Sequence, residues 1–245
     1  MKKTRLLAFL LTACLATTCF LSGTVAKYST TGAVTDAARV AKWGVTIAAD
    51  EDNDTLFDSS YNNANSVVTV QTTELNTKVV APGTGDSVTM ELSGQPEVAV
   101  KVTLDVSGND IKLPAKNGYK DYTSTNSAGT FDLAADYYPV VFTLTKYDNG
   151  TPTVIKTGTL AQINAYLADT DENSENGNTP WVDEYAVNKD LGQVSYTLSW
   201  TWVFETNNDA ADTYLGNVIA GTATDSTAVT ETGNVTLTVI VEQVD

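Results

Sequence analysis

The sequence contains no histidine. That absence removes the Ser-His-Asp triad, the Cys-His dyad and the HExxH zinc site from consideration. Cysteine is almost as scarce: Cys14 and Cys19 are the only two, and both fall in the first 20 residues. The rest of the chain can hold no internal disulfide, so its stability has to come from core burial. Thiol catalysis and Cys-based metal sites are excluded there too. Basic residues are few, 14 Lys and Arg against 30 Asp and Glu, giving a formal net charge of −16. A chain so poor in cations cannot neutralise phosphates well and is unsuited to nucleic acid. It also carries no Gly-rich phosphate loop. With 42% apolar and only 18% charged residues, it is not disordered by composition.

The beginning of the chain reads as an address. Met1-Lys2-Lys3-Thr4-Arg5 is followed by an apolar run from Leu6 to Leu21 and then by Ser22-Gly23-Thr24-Val25-Ala26. A positive region, an apolar region and a small-residue end make a secretory signal peptide over residues 1–26, with cleavage between Ala26 and Lys27. Two other readings compete. An uncleaved anchor would need roughly 20 apolar residues, and the run has 16 with three Thr among them. A lipoprotein would use Leu11-Thr12-Ala13-Cys14 as a lipobox, behind an apolar stretch of only six residues. Cleavage after Ala26 leaves 11 basic and 30 acidic residues, a net charge of −19. The expected location is secreted, extracellular or cell-surface associated, with no membrane span after cleavage.

Beyond the leader, apolar residues recur at every second position. Val98, Val100, Val102, Leu104 and Val106 share one face, as do Tyr138, Val140, Phe142 and Leu144. Val194, Tyr196, Leu198, Trp200, Trp202 and Phe204 form a third row, and Val235, Leu237, Val239 and Val241 a fourth. Shorter runs lie at 41–47, 68–70 and 88–92. Alternation with one polar face predicts antiparallel sheets packed on one side. Asp148-Asn149-Gly150 predicts a type I′ hairpin and Pro82-Gly83 a type II turn. Gly94-Gln95-Pro96 and Ser107-Gly108-Asn109-Asp110 read as further breaks. Thr159-Leu160-Ala161-Gln162 is a capping box opening a short helix with Leu160, Ile163 and Leu167 on one side. A second short helix is expected from Asp209 to Leu215, ending at Gly216. Residues 116–130, 169–179 and 221–233 read as loops. The whole predicts one all-β domain over 38–245, a jelly-roll-like antiparallel β-sandwich of eight or nine strands with one or two short helices in its connections.

Candidate chemical sites are thin. Asp50, Asp52 and Asp54 alternate like the opening of a calcium loop, but Thr55 replaces the required Gly and Tyr61 the required Glu. A solvated acidic loop is the simpler reading, for these residues and for Asp169, Asp171, Glu172 and Glu175. Thirty acids guarantee chance carboxylate pairs, so a glycosidase reading has no support. Trp200 and Trp202 sit on the apolar face of their strand and belong in the core. Trp181, beside Pro180 in a polar stretch, is the candidate surface-contact residue. No catalytic, cofactor-binding or metal-binding residues are assigned, and no enzyme activity is expected.

The segment from Gly23 through Ile47 carries a resemblance. Gly23, Thr24 and Ala26 at the leader end are followed by Tyr28 and Ser29 and then by the first strand. This resembles the SipW-dependent exported proteins of Gram-positive bacteria, the TasA/camelysin family. Leu198-Ser-Trp-Thr-Trp202 and the Thr/Val-rich last strand agree in character. The resemblance implies a jelly roll, processing by a signal peptidase of the SipW type, and a role as a subunit of extracellular matrix or biofilm fibres. It implies partners too: further copies of the same chain, or related matrix subunits. In such fibres the segment freed by leader cleavage adds as a strand to the next subunit. Carried over, residues 27–37 are the candidate donor arm, led by Lys27, Tyr28, Ser29, Thr30, Thr31, Gly32, Ala33 and Val34. Main-chain hydrogen bonding to an open sheet edge makes little demand on sequence, which suits such small and polar residues. A frayed N-terminal arm is the plainer alternative. The metalloprotease activity described for camelysin is not carried over, because this chain has no His for the metal. The competing functional expectation is a monomeric cell-surface adhesin or carbohydrate-binding module, which would use loops at one end of the sandwich.

Overall fold

Residues 39–49, 55–74, 77–123, 129–168, 179–205, 207–223, 229–230 and 233–244 are described by a computed structural model. The described residues from Ala41 onward form one compact unit. The leader, the cleavage pair Ala26 and Lys27, and the whole candidate arm 27–37 lie outside the described residues, as do Asp50, Asp52, Asp54 and residues 169–178.

The alternating rows become strands whose apolar sides meet in one core. In chain order the elements are β1 (Thr46–Ala49), β2 (Ser60–Tyr61), β3 (Val70–Gln71), β4 (Gly85–Ser93), β5 (Val100–Asn109), β6 (Lys116–Lys120), β7 (Thr130–Leu133), β8 (Val140–Asp148) and β9 (Thr151–Gly158). Helix α1 (Leu160–Ala168), β10 (Asp183–Tyr185), a 3₁₀ turn (Leu191–Gln193), β11 (Val194–Trp202), helix α2 (Asp209–Ile219) and β12 (Asn234–Gln243) follow. Five strands make the larger sheet in the order β1-β4-β11-β8-β9, three make the sheet facing it, β10-β5-β12, and β2-β3 and β6-β7 form two-stranded ribbons. All pairings are antiparallel. The connections β4–β5, β5–β8, β9–β10, β10–β11 and β11–β12 each pass from one sheet to the other, which gives the β-sandwich that the sequence predicts.

Val100, Val102, Leu104 and Val106 from the smaller sheet and Val140, Phe142, Leu144, Tyr196, Leu198, Trp200 and Trp202 from the larger are all buried in one cluster. Helix α1 packs against β9 and β5, one strand from each sheet, and inserts Leu160, Ile163 and Leu167. Its capping box forms as expected. Gln162 N donates to Thr159 Oγ1 at 3.2 Å, and Thr159 N donates to Gln162 Oε1 at 2.9 Å.

The turns follow their residue chemistry. Asn149 and Gly150 take φ of 50° and 74°, the type I′ pair that joins β8 to β9. Gly83 at φ 84° closes the type II turn, where Thr84 N donates to Ala81 O. Three local expectations change. Gly108 does not break the chain but continues β5 opposite Val235, where an added Cβ would fall 1.9 Å from Asn234 O; the glycine serves close strand approach. Helix α2 runs through Gly216 to Ile219 and ends instead at Gly221, φ 68°. Thr222 N donates to Asn217 O and Gly221 N to Val218 O, a Schellman end. Residues 116–130, read as loop, contain β6, which pairs with β7.

Candidate functional site

Two features stand out once the sheets are in place: an open strand edge and a half-buried ion pair set between the sheets.

Each sheet has two edge strands. In the larger sheet β1 has four residues, and β9 carries Pro152, Lys156 and a register shift beside Ile155. In the smaller sheet β10 has three residues and β12 has ten. Short strands, Pro, Lys and bulges are the devices that protect an edge from pairing with a stranger. Strand β12, Asn-Val-Thr-Leu-Thr-Val-Ile-Val-Glu-Gln, has none of them: no Pro, no Lys, and an unbroken register with β5 from Asn234 to Gln243. Val244 N donates to Ala99 O. By the alternation of antiparallel ladders, the even-numbered residues of β12 then bond to β5. Val235, Leu237, Val239, Val241 and Gln243 turn their N–H and C=O groups away from it. Among the described residues β12 pairs with β5 alone.

The charged group lies deeper. On β8 the inner-facing row Val140, Phe142, Leu144 continues with Lys146, which sits opposite Tyr196 of β11. On β10, Asp183 sits opposite the buried Val102 of β5 and so faces the same core from the other sheet. Lys146 Nζ and Asp183 Oδ2 meet at 2.5 Å, with about one fifth of each side chain exposed. Tyr185 and Tyr196 both donate their hydroxyls to Asp183 Oδ2, at 2.6 and 3.0 Å. The Lys146 ammonium also lies 5.1 Å from the centre of the Tyr185 ring. Burial, followed by the hydrogen-bonded neighbour of each, pushes both phenols well above the ordinary tyrosine range. Nearby, Lys189 pairs with Asp148 at 3.0 Å.

Trp181 belongs to this corner. It is half-buried and stands edge-on to Tyr196, ring centres 6.0 Å apart, and its backbone N–H donates to Leu167 O. Trp43 is more exposed, at 40%. The Lys146–Asp183 pair escapes a reading of the sequence because a Lys after an apolar row looks like the end of a buried face. The signal for it was the parity of Lys146 with Leu144. A shallow cleft of about 240 Å³ beside Glu91, Tyr147, Gln193 and Ser195 is smaller than the roughly 300–1,000 Å³ of ligand clefts. Among the described residues no three carboxylates converge as a metal site would require. No helix among them is long and apolar enough to cross a membrane. Compared with known proteins, the chain matches no family model, no curated protein and no solved structure.

Proposed function

We propose that the chain is an exported structural subunit of extracellular fibres, joined to its neighbours by β-strand addition. The observation that carries this is the unprotected edge of β12, ten residues long and rich in Val and Thr. An arriving strand would complete the ladder at Val235, Leu237, Val239, Val241 and Gln243 through main-chain bonds. The candidate donor is the polar arm 27–37, long enough to match such an edge and free to pair once the leader is removed. Signal peptidase cleavage thereby licenses assembly outside the cell, and the partner is another copy of the chain or a related subunit. The adhesin alternative draws less support, because Trp181, its candidate contact, spends part of its ring on Tyr196.

The test compares purified chains that start at Lys27 and at Ala38. Negative-stain microscopy and size exclusion should show filaments from the longer chain and folded monomers from the shorter. Monomers from both, under every salt and pH tried, would overturn the proposal.

A further inference from the structure

Lys146 and Asp183 are placed for more than an ion pair. They come from different sheets, meet at 2.5 Å inside the sandwich, and are hemmed in by Tyr185, Tyr196 and, against Tyr196, Trp181. Only about one fifth of each side chain remains exposed, and each is fixed by neighbours from the two sheets. Holding an amine against a carboxyl makes their reaction effectively unimolecular. Two phenol donors aimed at the same Oδ2 stand where negative charge would develop in an attack on Cγ. We infer that Lys146 and Asp183 condense spontaneously into an amide, a covalent staple joining β8 of one sheet to β10 of the other.

The step balances without a further reagent. A proton passes from the Lys146 ammonium to the Asp183 carboxylate, leaving a free amine and a carboxylic acid. The amine lone pair forms the N–Cγ bond, and Tyr185 and Tyr196 hold the oxygen that gains charge. A nitrogen proton moves to the departing hydroxyl, the Cγ–O bond breaks, and one water leaves. Nothing is oxidised or reduced. A chain whose only cysteines are Cys14 and Cys19 would gain in this way the cross-link that it cannot obtain as a disulfide.

The test is the intact mass of the purified folded protein, followed by a tryptic map. The expected result is a mass about 18 Da below that of the linear sequence, one water, with a single branched peptide joining Lys146 to Asp183. Lys146→Arg keeps the positive charge but removes the nucleophile, and should restore the full mass; Asp183→Ala should do the same. A wild-type chain at its full sequence mass overturns the inference, whether or not the variants fold. A water loss mapped to any other residues overturns it too.

Discussion

Trp200 Nε1 donates to the backbone carbonyl of Leu56 at 2.7 Å, across 144 residues of sequence. That bond ties the irregular stretch before β2 onto the last part of β11. Phe57 and Tyr61 close over the indole, each with its ring centre 5.5 Å away, Tyr61 edge-on. Trp200→Phe removes the donor, leaves a carbonyl without its partner and opens space beneath Tyr61. The expected cost is about 3 kcal/mol, from cavity and lost hydrogen bond together. Urea denaturation should show a lower midpoint at unchanged slope, and an unmoved midpoint would refute the role given to this bond.

The capping box of α1 supplies a smaller and more local effect. Thr159→Ala removes the acceptor for Gln162 N while leaving Leu160, Ile163 and Leu167 in place. The expected loss is about 1 kcal/mol, and Thr159→Ser should recover most of it. The same denaturation series decides, with failure of the Ser variant to recover marking a packing effect instead.

The inner rows of β4, β5, β8, β11 and β12 were legible in the sequence because each is half-buried, so its apolar residues recur with period two. The β8–β9 turn and the start of α1 were legible because Asn149-Gly150 and the Thr159–Gln162 pair act locally. What stayed hidden is relational. Phe204 continues the apolar row of β11 by parity, yet the strand stops at Trp202, where Gly83 N takes up its carbonyl. Phe204 is left about half exposed. Strand β6, Lys116-Asn-Gly-Tyr-Lys120, looks like a loop because only Tyr119 is buried; that ring packs against Phe131 and Tyr214. Nothing within Asn234–Gln243 says that β12 has one neighbour rather than two. That is decided by which strands the chain places beside it.

Asp212 on α2 sets a pH dependence. It is buried and accepts a hydrogen bond from the Tyr137 hydroxyl at 2.6 Å. Burial raises its carboxyl above the ordinary aspartate range. The Tyr137 hydroxyl and the neighbouring Trp202 indole pull the other way, although that indole N–H reaches no partner in full hydrogen-bond geometry among the described residues. A carboxyl raised in the folded state contributes stability below its unfolded pKa and loses it as pH climbs through the folded one. Asp212→Asn can still accept from Tyr137 and carries no buried charge. Its melting temperature relative to wild type should therefore be higher at pH 7 than at pH 4. An offset equal at both values would remove Asp212 from the account.

The β12 edge can be blocked without touching its bond to β5. Val241 turns its N–H to the free side, so Val241→Pro deletes an outward donor and leaves the β5 ladder complete. The variant should stay a folded monomer, lowered by about 1–2 kcal/mol for the half-buried side chain it loses, and form no filaments. Filaments as abundant as those of wild type would place the joint elsewhere, with β9 the next edge to block in the same way.

Charge should govern the rate at which such filaments grow. A subunit freed of its leader, with a net charge of −19, repels its copies along the whole approach, and strand pairing acts only at contact. Raising ionic strength from about 0.01 M to about 1 M shortens the screening length from about 30 Å to about 3 Å. Charge repulsion should then fade while the β12 ladder, held by main-chain bonds, is little affected. The lag before turbidity or thioflavin signal should shorten steeply with NaCl. Mild acid should act in the same direction, because protonation of surface carboxylates reduces the same repulsion. A divalent cation should match NaCl at equal ionic strength if screening alone is at work, and exceed it if carboxylates of neighbouring subunits are bridged. A lag that ignores salt, divalent cations and pH alike would show that electrostatic repulsion does not control assembly.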